Sequence, residues 1–454
     1  MKNGWTIYDI DFSRDKVERR SCVGKYAPCL KCGKRGKRIG KHTKKRVIRH
    51  IAYSQKAWII AEQGQYKARC GCCTTFWGII PGVPRQGEYS DAVRVAVIKS
   101  MQRDRLPGEM VKERLKEDFL LEVSTGFIYA CFDRAVQMVD QKKHWQWVCE
   151  NFSGVLCIDE VHDSKDRKIL FATDPINNFT VAFAVVEKNS QEEMDKFLEM
   201  LKAHGITPVV VITDGSPLYR DALTACWEDV EHQLCIFHVL ADINKVVLDG
   251  VRSIKNKIKR QGNKGRKRRR GRPKGNRKKP QRETRKDQAR FIWDNQHLVV
   301  KKKLTRSDRK KLKRMYTMAP ELKILRDFIT DVHRLFEKDI TKQQARNRHT
   351  RLMHNPAYQK NPFLVRAMKK LKTEKFEKMI VFMDYENVDR TSNHVERNNR
   401  SFRMSQKTRY KRRRRHTIEA ALWLEMDARR KKHPLSIADS TTGLDENHRR
   451  RAAA

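Results

Sequence analysis

Residues 209–221 read VVVITDGSPLYRD. Val209 to Thr213 are β-branched without a break, the pattern of a buried strand, and the chain then meets Asp214 and turns at Gly215. A carboxylate at the end of a buried strand is costly to desolvate unless something cationic meets it. The rest of the chain must either supply a partner for Asp214 or leave it as a simple turn cap.

Composition narrows the choice. The chain has 454 residues, enough for several domains, and 39 % of them are hydrophobic. It carries 100 Lys and Arg against 54 Asp and Glu, a net charge of +46. An ordinary solvated surface does not need that excess, and a polyanion, most simply nucleic acid, is the partner it implies. An anionic membrane fits less well, because no apolar run of about 18 residues occurs. The opening MKNGWTIYDIDFSRD lacks the apolar stretch of a signal peptide, so the protein is expected inside the cell, with its 11 cysteines reduced or metal-bound.

Around the quoted stretch, elements alternate. GVLCIDE (154–160) reads as a strand ending in Asp159, and RKILFATD (167–174) and FTVAFAVV (179–186) as two more. SQEEMDKFLEMLKAHG (190–205) reads as a helix capped by Ser190, with Glu193 at the capping-box position and Gly205 ending it. PVVVITD (208–214) is a fourth strand, and HQLCIFHV (232–239) a fifth that runs into a helix. The fold class is therefore α/β, three strands, a helix, a strand, a helix and a strand. Two of its strands end in Asp. Side by side, Asp159 and Asp214 repel unless a proton or a cation lies between them, and such a pair suits Mg2+. The competing reading is that each merely caps a turn.

Upstream, Cys29-x-x-Cys32 in PCLKCGKRG and Cys70 with Cys73 (or Cys72) in RCGCCTTFW form two knuckle-like pairs flanking strand-like VIRHIAYS and KAWIIAEQ. Four such thiolates fit a structural, tetrahedral Zn2+ site in a zinc-ribbon-like module over 20–82, although the spacer of residues 33–69 is long. The alternative is four small reduced core residues. LPGEMVKERLKEDFLLEVSTGFIYACFDRAVQMV predicts a helix to about Leu120, a turn, and a second helix capped by Ser124, within a helical region 88–150. This is helix-turn-helix-like, or any helical hairpin.

The order of strands, with Asp159-Glu160 on the first and Asp214 in TDGSPLY on the fourth, resembles the ribonuclease H-like catalytic domain of DDE-type insertion-sequence transposases. Cys235-Ile-Phe-His238 resembles the C-x-x-H signature after the second aspartate in such families, and TSNHVERNNRSFRM (391–404) offers the third acid, Glu396, in an S-N-x-x-E-x-x-N setting. Glu386 in DYENVDRTSN is the competing third acid. The resemblance implies that Asp159, Asp214 and Glu396 bind Mg2+ (or Mn2+) and catalyse DNA strand cleavage and strand transfer. Cys235, His238 and Asn393 would support them, although a buried Cys and a satisfied His are also ordinary core residues. The resemblance further implies an assembly on DNA element ends and target, as a homodimer or higher oligomer, in the cytoplasm on the nucleoid. A catalytically inactive DNA-binding relative and a metal-dependent nuclease are the alternatives.

Residues 215–395 between the second and third acids are too many for a loop, so a helical insertion over 287–389 is expected to interrupt the catalytic domain, between its first part at 151–250 and a last catalytic helix with a basic patch at 390–432. Ahead of it, residues 251–286 hold 19 Lys and Arg and one acid, and are expected to be disordered when free. Within them Arg270-Gly271-Arg272-Pro273 resembles an AT-hook that lays Arg270 and Arg272 into a narrow minor groove, or else serves as a solvated tether. RYKRRRRH (409–416), with Arg412 and Arg413, is a second DNA-contacting candidate, and 433–454 reads as a polar tail.

Overall fold

The computed structural model describes residues 15–29, 31–71, 75–163, 167–188, 190–219, 221–263, 284–337, 339–386, 388, 391, 393–406 and 412–434. They divide into two compact units, one of the residues up to Trp147 with those from Ser401 on, the other of Val148–Arg400.

In the first unit, β1 (Lys16–Cys22), β2 (Tyr26–Pro28), β3 (Arg35–Ala52), β4 (Gln55–Lys67) and β5 (Thr75–Trp77) form a sheet of order β1-β4-β3-β2, with β5 also on β4. Its long β3–β4 hairpin turns at Ser54, which takes a left-handed φ of 55°. The ladder breaks between Arg38 and Thr43, where Gly40 at φ 58° lets β3 bulge. Two small clusters hold the sheet, Ile48, Ile59, Ala61, Ile80 and Val83 in one, and Ala27, Cys29, Tyr66 and Phe76 in the other.

Three helices follow, α1 (Asp91–Gln102), α2 (Gly108–Phe119) and α3 (Thr125–Gln137), then α4 (Gln141–Asn151). The expected turn is present. Leu120 caps α2 in the left-handed region, and the Ser124 hydroxyl accepts from Phe127 N at 3.1 Å to start α3. A cap of this kind contributes about 1 kcal/mol. Val93, Val97, Val111, Leu115, Ile128 and Phe132 make the core of these helices.

In the second unit, β6 (Val155–His162), β7 (Lys168–Asp174), β8 (Phe179–Val186), α5 (Gln191–Ala203), β9 (Val210–Thr213), α6 (Ala222–Cys226), β10 (Glu231–Leu234) and α7 (Ile236–Asn263) follow in the expected order. The sheet runs β10-β9-β6-β7-β8. β9 is parallel to β6 and to β10, and β7 is antiparallel to β6 and to β8. The Ser190 hydroxyl caps α5 by accepting from Glu193 N, and Gly205 (φ 86°) ends it. Two boundaries differ from expectation. β6 does not stop at Asp159, because β7 keeps pairing with it as far as His162. β9 stops at Thr213, so Asp214 is the first residue beyond the strand.

The insertion is helical, as expected. It comprises α8 (Arg285–Asp294), α9 (Arg306–Met318), α10 (Glu321–Arg334), α11 (Lys342–Met353), α12 (Pro356–Gln359), α13 (Pro362–Met368) and α14 (Thr373–Met379). Its core includes Leu322, Leu325, Phe328, Ile329, Leu364 and Phe376, joined by Ile243, Val247, Val251 and Ile258 of α7. Those last residues correct the expectation of disorder from 251 on. Val251, Ile254 and Ile258 continue the apolar stripe of α7, so the basic stretch begins as a packed helix up to Asn263. Residues 264–283, with Arg270 and Arg272, lie outside the described residues. α15 (Asn393–Gln406) and α16 (Arg415–Lys431) close the chain. α16 sends Ala421 and Leu424 into the core of α1–α3.

Candidate active site

The parallel register brings the two aspartates together. Val155, Leu156 and Cys157 of β6 face Val210, Val211 and Ile212 of β9, one for one. Two further steps in that register set Asp159 beside Asp214, on strands about 4.8 Å apart. On the other side of β9, Leu234 faces Thr213, and the next step sets Cys235 against Asp214. The Cys235 N–H donates to Thr213 O at 2.7 Å and fixes that step. Glu160 leaves the cluster because strand residues alternate faces. Its carboxylate pairs instead with Lys168 Nζ at 2.6 Å.

Asp214 also performs the bland role considered for it. Its Oδ1 accepts from Ser216 N at 2.8 Å, and the turn needs Gly215 at φ 85°. One oxygen thus caps the turn and the other remains for the site. Thr213 steadies the same turn, its hydroxyl accepting from Gly215 N at 3.3 Å and sharing a hydrogen bond with His232 Nε2 at 2.8 Å.

The third acid comes from α15. His394 Nε2 lies 2.5 Å from Asn178 Oδ1 in the β7–β8 turn, and Asn399 Nδ2 donates to Asp159 Oδ2 at 2.5 Å. Between these two ties Glu396 Oε1 stands 4.0 Å from His238 Nε2. Asn393 opens the helix. His238 lies on the first turn of α7. Its hydrogen bond with the Cys235 side chain, then the charges of Asp159 and Asp214, raise its imidazole to about 9 against the effect of burial. Asp159 is 9 % exposed. Burial, reinforced by the charges of Asp214 and Glu396, pushes its carboxyl up to about 6. Burial and the carboxylates of Glu160, Asp214 and Asp159 likewise push the fully buried Tyr219 phenol well above its ordinary value.

The residues fit divalent cations. A buried carboxylate raised in this way is short of positive charge, and both Tyr219 Oη and Asn399 Oδ1 are buried without a partner. Among the described residues only three cysteines bring three ligand atoms within 4.8 Å of one another, so the three carboxylates are spread wider than the shell of one ion. Of the two candidates for the third acid, Glu396 is the one that the described contacts place beside His238 and whose charge reaches Asp159.

Those three cysteines are Cys29, Cys32 and Cys70. The long spacer between the pairs is the β3–β4 hairpin, which returns the chain to its start: β2 pairs with β3 at Pro28 and Arg35, and β3 with β4 at Lys37 and Lys67. The knuckle is formed by Cys29 N donating to Lys34 O at 2.8 Å and Gly33 N to Cys29 O at 3.0 Å. The thiols fit zinc, whose tetrahedral sulfurs sit about 3.8 Å apart at the usual bond length. Cys73 and its alternative Cys72 lie outside the described residues. Of the second basic patch, Arg413 is exposed. Arg412 is drawn inward, its guanidinium held below its ordinary value by burial beside Glu425.

The role of Asn399 was not legible in the sequence. The E-x-x-N spacing set it one turn after Glu396, but its partner Asp159 is 240 residues away. Tyr219 gave no signal beyond its place in SPLY.

The family model described as transposase, for DDE transposases of the ISL3 type, matches residues 156–414. No curated protein matches the chain. Among solved structures, the Drosophila P element transposase strand transfer complex is similar at 12 % identity and a TM-score of 0.41, over 78 % of this chain and 95 % of that one, a likeness too slight to fix a fold. The family match spans more than half of the chain, from β6 past α15, and the protein belongs to the ISL3 family of DDE-type transposases.

Proposed function

We propose that this chain cleaves DNA strands at the ends of an insertion element and joins them to target DNA, with Asp159, Asp214 and Glu396 holding two Mg2+ (or Mn2+) ions. The observation that carries the proposal is the register that sets Asp159 beside Asp214, with the helix of Glu396 tied to Asp159. The strand order β10-β9-β6-β7-β8, three antiparallel strands and two parallel ones, supports the ribonuclease H-like reading of the domain. Bound ions would lower the pKa of the attacking water or 3′-hydroxyl and stabilise the leaving oxygen.

The chain's own residues then have distinct tasks. Asp159, which feels the charges of both other acids, would hold the ions together with them. Asp214 and Glu396 flank it. His238 carries a positive charge at neutral pH beside Glu396, which limits repulsion among the carboxylates and suits contact with a DNA phosphate. The thiols of Cys29, Cys32, Cys70 and one of Cys72 or Cys73 hold a structural Zn2+ under a basic hairpin that contacts DNA. Assembly as a dimer or larger complex would bring two element ends together.

The test uses a labelled duplex carrying the DNA that flanks the gene, with Mg2+ or Mn2+ and either wild type or Asp214→Ala. Nicked and strand-joined products from wild type alone are expected, with DNA affinity nearly equal for both proteins. Nicks without joining would support a nuclease, and binding without any cut would support an inactive relative.

A further inference from the structure

We propose that Asn399 is the positioning residue that couples the third acid to the first, so that divalent-ion affinity at the site depends on its side-chain amide. The proposal rests on the carboxylate site described above.

Three observations converge on it. Asn399 is 1 % exposed, and its Nδ2 donates to Asp159 Oδ2 at 2.5 Å. It stands three residues after Glu396 on the same helix, one turn of about 4.5 Å rise. The hydrogen bond therefore fixes Asp159's rotamer and the distance of Glu396 from it together. Finally, Asn399 Oδ1 is buried without a partner. A leucine of nearly the same size would fill the space without stranding an oxygen, an arrangement that costs about 1–3 kcal/mol. Stability alone does not account for an amide here, and the donor to Asp159 does.

The chemistry favours an amide over the other donors. A lysine would add a cation that competes with the metal, and an acid would set a further negative charge against Asp159. An amide orients one carboxylate oxygen, keeps the lone pairs of the other for a cation, and leaves the charge of the cluster unchanged. The opposite end of the helix is held separately by His394 on Asn178. Loss of the Asn399 tie should therefore loosen the carboxylates without releasing the helix.

The test compares wild type, Asn399→Leu, Asn399→Ala and Asp214→Ala in full-length protein. Three quantities are read: the melting-temperature rise on titration with Mn2+, DNA affinity in EDTA, and strand cleavage. Both Asn399 variants should need about tenfold more Mn2+ or higher for half of the thermal shift, as outer-sphere partners of metal ligands usually do, with cleavage slowed to match. Their melting temperature and DNA affinity in EDTA should stay close to wild type, which a merely structural role would not predict. Half-saturation within twofold of wild type in a folded variant would overturn the proposal. If Asn399→Leu fails to fold, Asn399→Ala, smaller and uncharged, decides it alone. A wild type with neither a Mn2+ response nor cleavage would overturn the catalytic reading as well. A wild type that responds while Asp214→Ala does not leaves that reading standing and judges Asn399 separately.

Discussion

In the sheet β10-β9-β6-β7-β8 the central strands are buried on both faces, as the unbroken apolar runs of β6 and β9 show, and the carboxylates proposed to hold metal lie at the ends of a core built without them. In the sheet β1-β4-β3-β2, strand β3 has two buried residues in eighteen, and the thiol of Cys29 is itself part of one small core cluster. The first sheet can lose a functional side chain and stay folded. The second has little apolar surface to spare, and a cysteine proposed to hold zinc is also part of its core. Their charges differ as well. Residues 15–71 carry 17 Lys and Arg against three acids, whereas the helices at 91–137 carry eight against eight. Among the modules expected to contact DNA, charge therefore favours the hairpin over α3.

The largest effect expected from this contrast is loss of zinc. Structural zinc contributes on the order of 10 kcal/mol to small modules. Chelation or Cys29→Ser should abolish hydrogen-exchange protection over residues 15–83 and leave β6, β9 and β10 protected. Uniform loss across both sheets would break the comparison.

The catalytic sheet should instead show its strain through pH. Burial raises Asp159 to about 6, so its folded state prefers the protonated form. Below pH ~4 the carboxyl is protonated whether folded or not, and no penalty applies. Between pH ~4 and about 6 the unfolded chain ionises this carboxyl while the folded protein keeps it protonated, so stability falls by ~3 kcal/mol over that window and levels off above it. Metal-free wild type should therefore lose ground to Asp159→Asn between pH 4 and 7, measured by urea unfolding. A gap between the two that does not widen with pH would contradict the assignment of Asp159 to the buried cluster.

The smallest effect separates the hairpin from the helices. Lys41, Lys44 and Lys45 are exposed on or beside the bulge of β3. Replacing all three with Gln should weaken DNA binding and reduce the salt slope by about 0.9 for each phosphate no longer neutralised. Arg134→Gln on α3 should change the slope by less than about 1. A larger change at Arg134 than at the three lysines would restore α3 as the main phosphate-binding element.

Much of this was legible in the sequence for a physical reason. Local signals read true: the β-branched runs gave the strands, Ser190 and Ser124 gave their caps, and D-G at 214–215 gave its turn. Boundaries failed where pairing decided them, as at His162, which β7 holds in the ladder. The basic stretch after 250 misled because its charge outnumbers Val251, Ile254 and Ile258, whose spacing nevertheless matches a buried helical face. The site needed partners that no local pattern carries, above all Asn399 on Asp159 and the return of the β3–β4 hairpin to close the cysteine cluster.

The most direct test of the central claim replaces Asp214 by cysteine. A thiolate is a poor ligand for Mg2+, which prefers oxygen, and a better one for Mn2+. Asp214→Cys should fail to cut an element-end duplex in Mg2+ and regain cutting in Mn2+, while Asp214→Ala stays inactive in both. Equal cutting by Asp214→Cys in the two ions, or none in either while wild type cuts in both, would contradict a metal-holding role for Asp214.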